Sequence, residues 1–259
     1  MVSKEKLDAI YRRYNRRDCV HPDPLEFLYG YPKIHDREIV ALVASTLAYG
    51  RVAQILKSVS VVLDALGPSP ADFLAATSAE TIRKTFSGFV HRFATGETLS
   101  ALLVGIKRAA ARYGSLHHCF LAGFDPADQT IMGAMNRFVD ELLTGDGSCP
   151  GHLLPRPERG SACKRLNLFL RWVVRNDAVD PGGWDQIPTA TLIVPLDVHM
   201  HRIGRLLGFT TRKQTDIRTA LEITDGFRRL VPDDPVRYDF ALTRFGIREN
   251  VDPATILFA

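Results

Sequence analysis

Asp197 and Lys164 are the residues whose type and setting best suit chemistry. The segment Ile193-Val194-Pro195-Leu196-Asp197 reads as a buried extended piece followed by a helix that Asp197 caps. Met200, Ile203, Leu206 and Leu207 mark that helix by their spacing. A carboxylate at a helix start is held ionised by the amides and the helix dipole. A fixed negative charge can stabilise positive charge that develops in a transition state. The plain alternative is that Asp197 does nothing more than cap. Upstream, Gly160-Ser161-Ala162 forms a small-residue turn into a helix with Leu166, Phe169, Leu170 and Val173 on one side. Lys164 sits in its first turn, where the positive helix end disfavours the charged amine. A neutral lysine is a nucleophile. The alternative is a phosphate-binding or solvated lysine. Arg165, Arg171 and Arg175 on the same helix either line a nucleic-acid surface or form its wet face.

Mostly helical elements must position these groups. Residues 36–49 carry Ile39, Val40, Val43, Ala44 and Leu47 at helical spacing, with Asp36 as N-cap and Glu38 favouring the helix start. Gly50 breaks the chain, and residues 51–66 resume the period until Gly67-Pro68-Ser69-Pro70. Further helices are predicted near 98–113, 127–144, 163–175 and 217–230. A last helix opens with Asp234 as N-cap and Pro235 as first residue, and ends near Phe245. Strand signals are nearly absent, the one short β-branched run being Thr191–Val194. The loop-rich stretch 145–162 is expected to be a subdomain junction. The expectation is an all-α protein of about ten helices in two helical subdomains. One spans 36–150, and the other joins 1–35 to 151–259.

Composition bounds the rest. The chain has 259 residues, 46% hydrophobic and 24% charged, with a net charge of +4. The apolar fraction is too high and the charge too low for disorder as the main state. No apolar run reaches the roughly 18–20 residues of a membrane span. The charged N-terminus lacks the apolar core of a signal peptide, so a cytoplasmic location is expected. Cysteines 19, 119, 149 and 163 show no C-x-x-C spacing and read as packing thiols. Arginine exceeds lysine about threefold, which suits phosphate and base contacts. A GC-rich coding sequence produces the same skew.

Pro195-Leu196-Asp197-Val198-His199 followed by an apolar helix resembles the aspartate segment of the helix-hairpin-helix DNA glycosylases, a superfamily that includes endonuclease III and 8-oxoguanine DNA glycosylase. Gly160-Ser161-Ala162-Cys163-Lys164 resembles the preceding hairpin, where Gly-x-Gly-x-Lys supplies the nucleophile of bifunctional members. The helix pair 36–66 is similar to the pair around their base-flipping loop. The whole chain also resembles an uncharacterised bacterial family with the stretches Gly-Ser-Ala-Cys-Lys-Arg-Leu, Leu-Arg-Trp and Asp-Pro-Val-Arg-Tyr-Asp-Phe-Ala. The chain departs from the glycosylase pattern in three ways. Ala162 replaces the second hairpin glycine. Asn176–Trp184 lengthens the spacing between Lys164 and Asp197, as in the archaeal 8-oxoguanine glycosylases. The iron–sulfur cysteines of endonuclease III are missing.

The resemblance implies a repair glycosylase that flips a damaged base, an oxidised purine for instance, out of double-stranded DNA. Asp197 would stabilise the oxocarbenium-like state, and Lys164 would attack C1′, with AP-lyase cleavage to follow. Trp184, Trp172 and Tyr49 are candidates for the base platform, and core packing is the alternative for both tryptophans. Arg51, Gly160, Ser161 and Arg165 are candidates for DNA contacts. The expected protein is a monomer without cofactor or metal. A non-catalytic nucleic-acid binder on the same fold is the first rival. A metal-dependent hydrolase, from Asp197-x-His199-x-His201 or His35-Asp36, is weaker, because the histidines fall on a helix where neighbours two apart diverge. A helical interaction module without nucleic acid is the third alternative.

Overall fold

The computed structural model describes residues 3–145 and 150–248. Among them are twelve α-helices: α1 (Lys4–Tyr14), α2 (Ile34–Thr46), α3 (Val52–Leu66), α4 (Pro70–Ala76), α5 (Ala79–Thr85), α6 (Gly96–Tyr113), α7 (Leu116–Leu121), α8 (Met132–Leu143), α9 (Lys164–Val174), α10 (Val198–Leu206), α11 (Ile217–Arg228) and α12 (Asp239–Arg248). The strands β1 (Val90–His91) and β2 (Ala94–Thr95) form one small hairpin. The protein is all-α. The chain divides into two compact units, a terminal unit of 1–21, 129–131 and 157–259 and a middle unit of 22–128 and 132–156. Residues 22–35 thus group with the middle unit, and the exchange near the loop-rich stretch falls at 156/157.

In the middle unit α2 is the central helix, with Ile39 to Thr46 all buried. It carries two buried acids, and neither serves its own helix as the sequence suggested. The N-cap of α2 is Lys33. Asp36 instead accepts from Ser69 Oγ and Ala71 N at the start of α4, both at 2.9 Å. Glu38 accepts from the amides of Leu116 at 2.8 Å and His117 at 3.1 Å, the first donors of α7. Both bonds satisfy helix-terminal N–H groups that have no intrahelical partner. At Gly105 of α6 an added Cβ would lie 2.3 Å from the Leu142 carbonyl of α8, so only glycine lets these backbones approach.

In the terminal unit the central helix is α9. Arg171 and Arg175, read above as surface arginines, are 3% and 4% exposed. Arg171 Nε donates to Asp180 Oδ1 at 3.2 Å, and its Nη1 donates to Asp239 of α12. Arg175 pairs with Asp180, with Asp177 at 2.9 Å and with Asp234 at 3.0 Å. Asp234 therefore serves Arg175 rather than capping the last helix, which begins four residues later than expected, at Asp239. Lone buried arginines would be strongly destabilising, and these carboxylates make their burial tolerable. The long insertion 176–184 supplies two of them and folds back on α9. There Gly182 N donates to the Trp172 carbonyl at 3.0 Å and Trp184 N to that of Val173 at 2.8 Å. Of the run Thr191–Val194, Thr191 closes a 3-10 turn (Thr189–Thr191), and Leu192–Val194 follow as buried chain that pairs in no strand. Its Val194 amide donates to Thr224 Oγ1 of α11 at 3.0 Å.

Two predictions follow from these buried acids. Glu38→Ala leaves two α7 amides without acceptors, and urea unfolding should show a loss of about 3 kcal/mol. A loss below about 1 kcal/mol would mean that water replaces the carboxylate. Burial pushes the Asp239 carboxyl up from 3.8 to about 6, against the pull of Arg171 and with help from the nearby charge of Asp197. The folded state therefore holds a proton between pH about 6 and 3.8 that the unfolded chain lacks. The contribution of Asp239 to stability thus rises as pH falls through about 6, by up to ~3 kcal/mol. Asp239→Asn should flatten that part of the stability–pH curve, and an unchanged curve would refute the assignment.

Candidate functional site

The two residues singled out first come together in the terminal unit. Lys164 Nζ lies 3.3 Å from Asp197 Oδ2, with the side chains 36% and 21% exposed. Thirty-two residues of chain, among them the buried Arg171 and Arg175, intervene between them in sequence. Lys164 is the first residue of α9 and Asp197 the N-cap of α10, so the pair joins two helix starts. Asp197 divides its oxygens: Oδ1 accepts from Met200 N at 2.9 Å as a cap, while Oδ2 faces the lysine. The cap thus fixes the carboxylate that meets the amine. Val198, immediately beside it, is 72% exposed.

The turn before α9 is held on several sides. Gly160 takes φ +83° and accepts from Ile217 N at 3.2 Å, and Ser161 bridges to Asp216. Ser161 Oγ accepts from Cys163 N at 3.2 Å, and Asn167 Nδ2 donates to the Ala162 carbonyl at 3.0 Å. Cys163 takes φ +47°, a left-handed conformation costly for a residue with a Cβ, and caps α9 with no side-chain hydrogen bond. Ala162 is therefore not the strained position, and the residue after it carries the strain. The Cys163 thiol is pushed up to about 11 by burial, so it is not a nucleophile. Arg165 lies half-buried on the first turn of α9.

The aromatic candidates fall differently. Trp172 and Trp184 are 1% and 0% exposed. Trp184 packs edge-on against Phe169, with ring centres 5.2 Å apart. A base platform must offer an open face, and neither tryptophan does. Both belong to the core. The loop position of Trp184 suggested exposure, but the loop docks on α9 and turns the ring inward. Tyr49 and Arg51 belong to the middle unit. Tyr49 is half-buried, and its hydroxyl donates to the His91 carbonyl at 2.9 Å. That leaves His152 Nε2 as the donor to the phenol oxygen, also at 2.9 Å. Arg51 is exposed at the N-cap of α3. Phe93 and Arg92, at the tip of the hairpin beside Tyr49, were not anticipated, because the hairpin lacks the Asn-Gly or Asp-Gly signal of a tight turn.

The metal readings find no geometry in their favour. His201 Nε2 is engaged with the Arg212 carbonyl at 2.9 Å, and His199 is exposed on the same helix. In the middle unit Asp36 turns to α4, while His35 lies 3.7 Å from Glu38, at a cleft of about 340 Å³ that Lys107 also lines. Among the described residues no three metal-ligating side chains group together, and no single helix is long and apolar enough to cross a membrane.

No curated protein and no solved structure matches the chain. One family does match, over residues 23–248, so the match runs through both units and includes Lys164 and Asp197. The chain belongs to the DUF2400 family, described as a protein of unknown function.

Proposed function

We propose that the protein is a DNA repair glycosylase, of the helix-hairpin-helix type in fold, in which Asp197 and Lys164 act on the sugar of a flipped, damaged nucleotide. The observation that carries this reading is the 3.3 Å approach of Lys164 Nζ to a carboxylate fixed as a helix cap. In the proposed reaction the bond between base and C1′ breaks and its electron pair leaves with the base. The positive charge left on the sugar faces the ionised Asp197. Lys164, after giving up a proton, donates its lone pair to C1′, and ring opening yields a Schiff base. Elimination of the 3′-phosphate from that adduct accounts for the lyase step. The start of α9, where no side chain caps the first amides, suits a DNA phosphate. Double-stranded DNA carrying a damaged base is the proposed partner.

A non-catalytic binder remains the second reading, favoured by one observation. Lys164 is engaged in an ion pair with Asp197 in the free protein, as a lysine that only binds or only holds two helix starts together would be.

Borohydride trapping on duplexes containing 8-oxoguanine or an abasic site separates the two. Wild type should form a covalent complex with the 8-oxoguanine duplex, and Lys164→Ala should form none. Trapping on the abasic duplex alone would leave a lyase of different base preference. Tight binding with no trapped complex on either duplex overturns the lysine mechanism. Asp197→Asn keeps a capping oxygen while removing the charge. It should slow base release about 10²–10³-fold with stability changed by only a few tenths of a kcal/mol. Asp197→Ala should lose the activity and also about 1 kcal/mol. If both variants differ from wild type only in stability, Asp197 is a cap and nothing more.

A further inference from the structure

Of the five large apolar side chains left exposed among the described residues, four lie in the middle unit on α3 or on the hairpin: Val52, Val61, Val90 and Phe93. Phe93, at the hairpin tip, is 73% exposed. Its ring meets the Arg92 guanidinium at 5.7 Å and the edge of His152 at 6.3 Å, which leaves a ring face open to solvent. The hairpin pairs His91 with Ala94, so Arg92 and Phe93 form a two-residue turn. Arg92 takes φ +53° at the first of these positions, where glycine is the comfortable residue. Apart from Cys163 beside Lys164, no other described non-glycine residue takes positive φ. Strain of this kind persists where the surroundings over-determine it.

The surroundings do so here. His91 is buried, with Nδ1 2.9 Å from Ser58 Oγ of α3 and Nε2 3.2 Å from the Tyr49 carbonyl. Arg92 lies across Gly50, where an added Cβ would meet its Cδ and Nη1 at 2.8 Å. The exposed tip is thus anchored at its base and presents an open aromatic face with a guanidinium beside it. Residues 49–58, 88–95 and 150–155 include Arg51, Lys57 and Arg92, and no aspartate or glutamate.

An aromatic face with a guanidinium beside it matches a base with its phosphates, because every base offers a π-face and each phosphate a negative charge. Resting on the nucleic-acid partner argued above but not on the lysine chemistry, we propose that the Arg92–Phe93 tip is a stacking platform for an unpaired nucleic-acid base. Phe93 carries the base, and Arg92 and Arg51 receive the neighbouring phosphates.

Fluorescence anisotropy with the full-length chain at low salt tests this. The probes are a labelled DNA single strand, its full duplex, and the same duplex with one bulged base. The bulged and single-stranded probes should bind more tightly than the full duplex. Phe93→Ala should weaken the first two about tenfold or more and leave the salt slope unchanged, since no charge is lost. Phe93→Trp should restore binding, and the new indole should be quenched by the bulged probe. Arg92→Gly relieves the turn and removes the charge, so it should fold and bind with a shallower salt slope. Anisotropy reads binding and not covalent chemistry, so a failed trapping experiment leaves this outcome readable. Equal affinities of Phe93→Ala and wild type for the bulged probe would overturn the proposal. So would the absence of DNA binding, or Phe93-dependent binding to vesicles of equal parts phosphatidylcholine and phosphatidylglycerol without DNA binding.

Discussion

The terminal unit is organised around two arginines that α9 carries into its interior. Arg171 and Arg175 are almost wholly buried, and water does not solvate them. The chain must bring carboxylates to them, and it does so from three directions. Asp177 and Asp180 come from the insertion after α9, Asp234 from the turn before α12, and Asp239 from α12 itself. Removing either partner from such a pair leaves a buried charge uncompensated, at a cost of about 3–5 kcal/mol. The insertion therefore cannot float as a surface loop, and α12 cannot leave α9. Because Lys164 opens the helix that these contacts hold, the same interactions fix where its amine can reach.

The network also sets a potential. Two arginines face four aspartates, so the cluster as a whole is negative when all are ionised. Part of that excess is relieved at Asp239, whose carboxyl burial pushes up to about 6, and the charge of Asp197 contributes to that push. Asp197 thus stands at the edge of a buried region that already disfavours further negative charge. Any positive charge arriving in front of Asp197 meets an environment that favours it. Lys164 pairs with that carboxylate in the free protein, and in the proposed reaction the sugar of a nucleotide would take its place.

Local patterns in the sequence were good guides to helices and poor guides to what acidic residues do. Helices α2, α3, α6, α9 and α11 each lie within a few residues of their predicted spans, because apolar periodicity records burial directly. Asp197 was read as a cap and is one, since its donor is three residues away. Asp36 and Asp234 were also read as caps, yet one serves another helix and the other serves Arg175. An acid near a helix start looks the same in sequence whether its partner is local or distant. The arginines of α9 were similarly ambiguous, because a charged residue every few positions describes both a wet face and a buried clamp. The hairpin was invisible for a different reason. Its turn is held by tertiary contacts of His91 and Arg92 rather than by turn-forming residues, so no local signal exists.

The proximity of Lys164 and Asp197 supports chemistry and limits it at once. A carboxylate 3.3 Å from an amine engages it in an ion pair. For the lysine to attack, something must first weaken that pair. A cationic sugar entering between them would do so, because it competes for the same carboxylate and its positive charge repels the ammonium proton. On this view the order of events is dictated by electrostatics: charge develops on the sugar before the amine becomes a nucleophile. The exposed Val198 and the half-open side chains leave room for that entry. The departing base, which leaves with an electron pair, is then the natural acceptor for the lysine proton. An abasic sugar has no departing base, so on such a substrate the proton must pass to Asp197 or to water. In the proposed reaction, base release should therefore outpace strand cleavage.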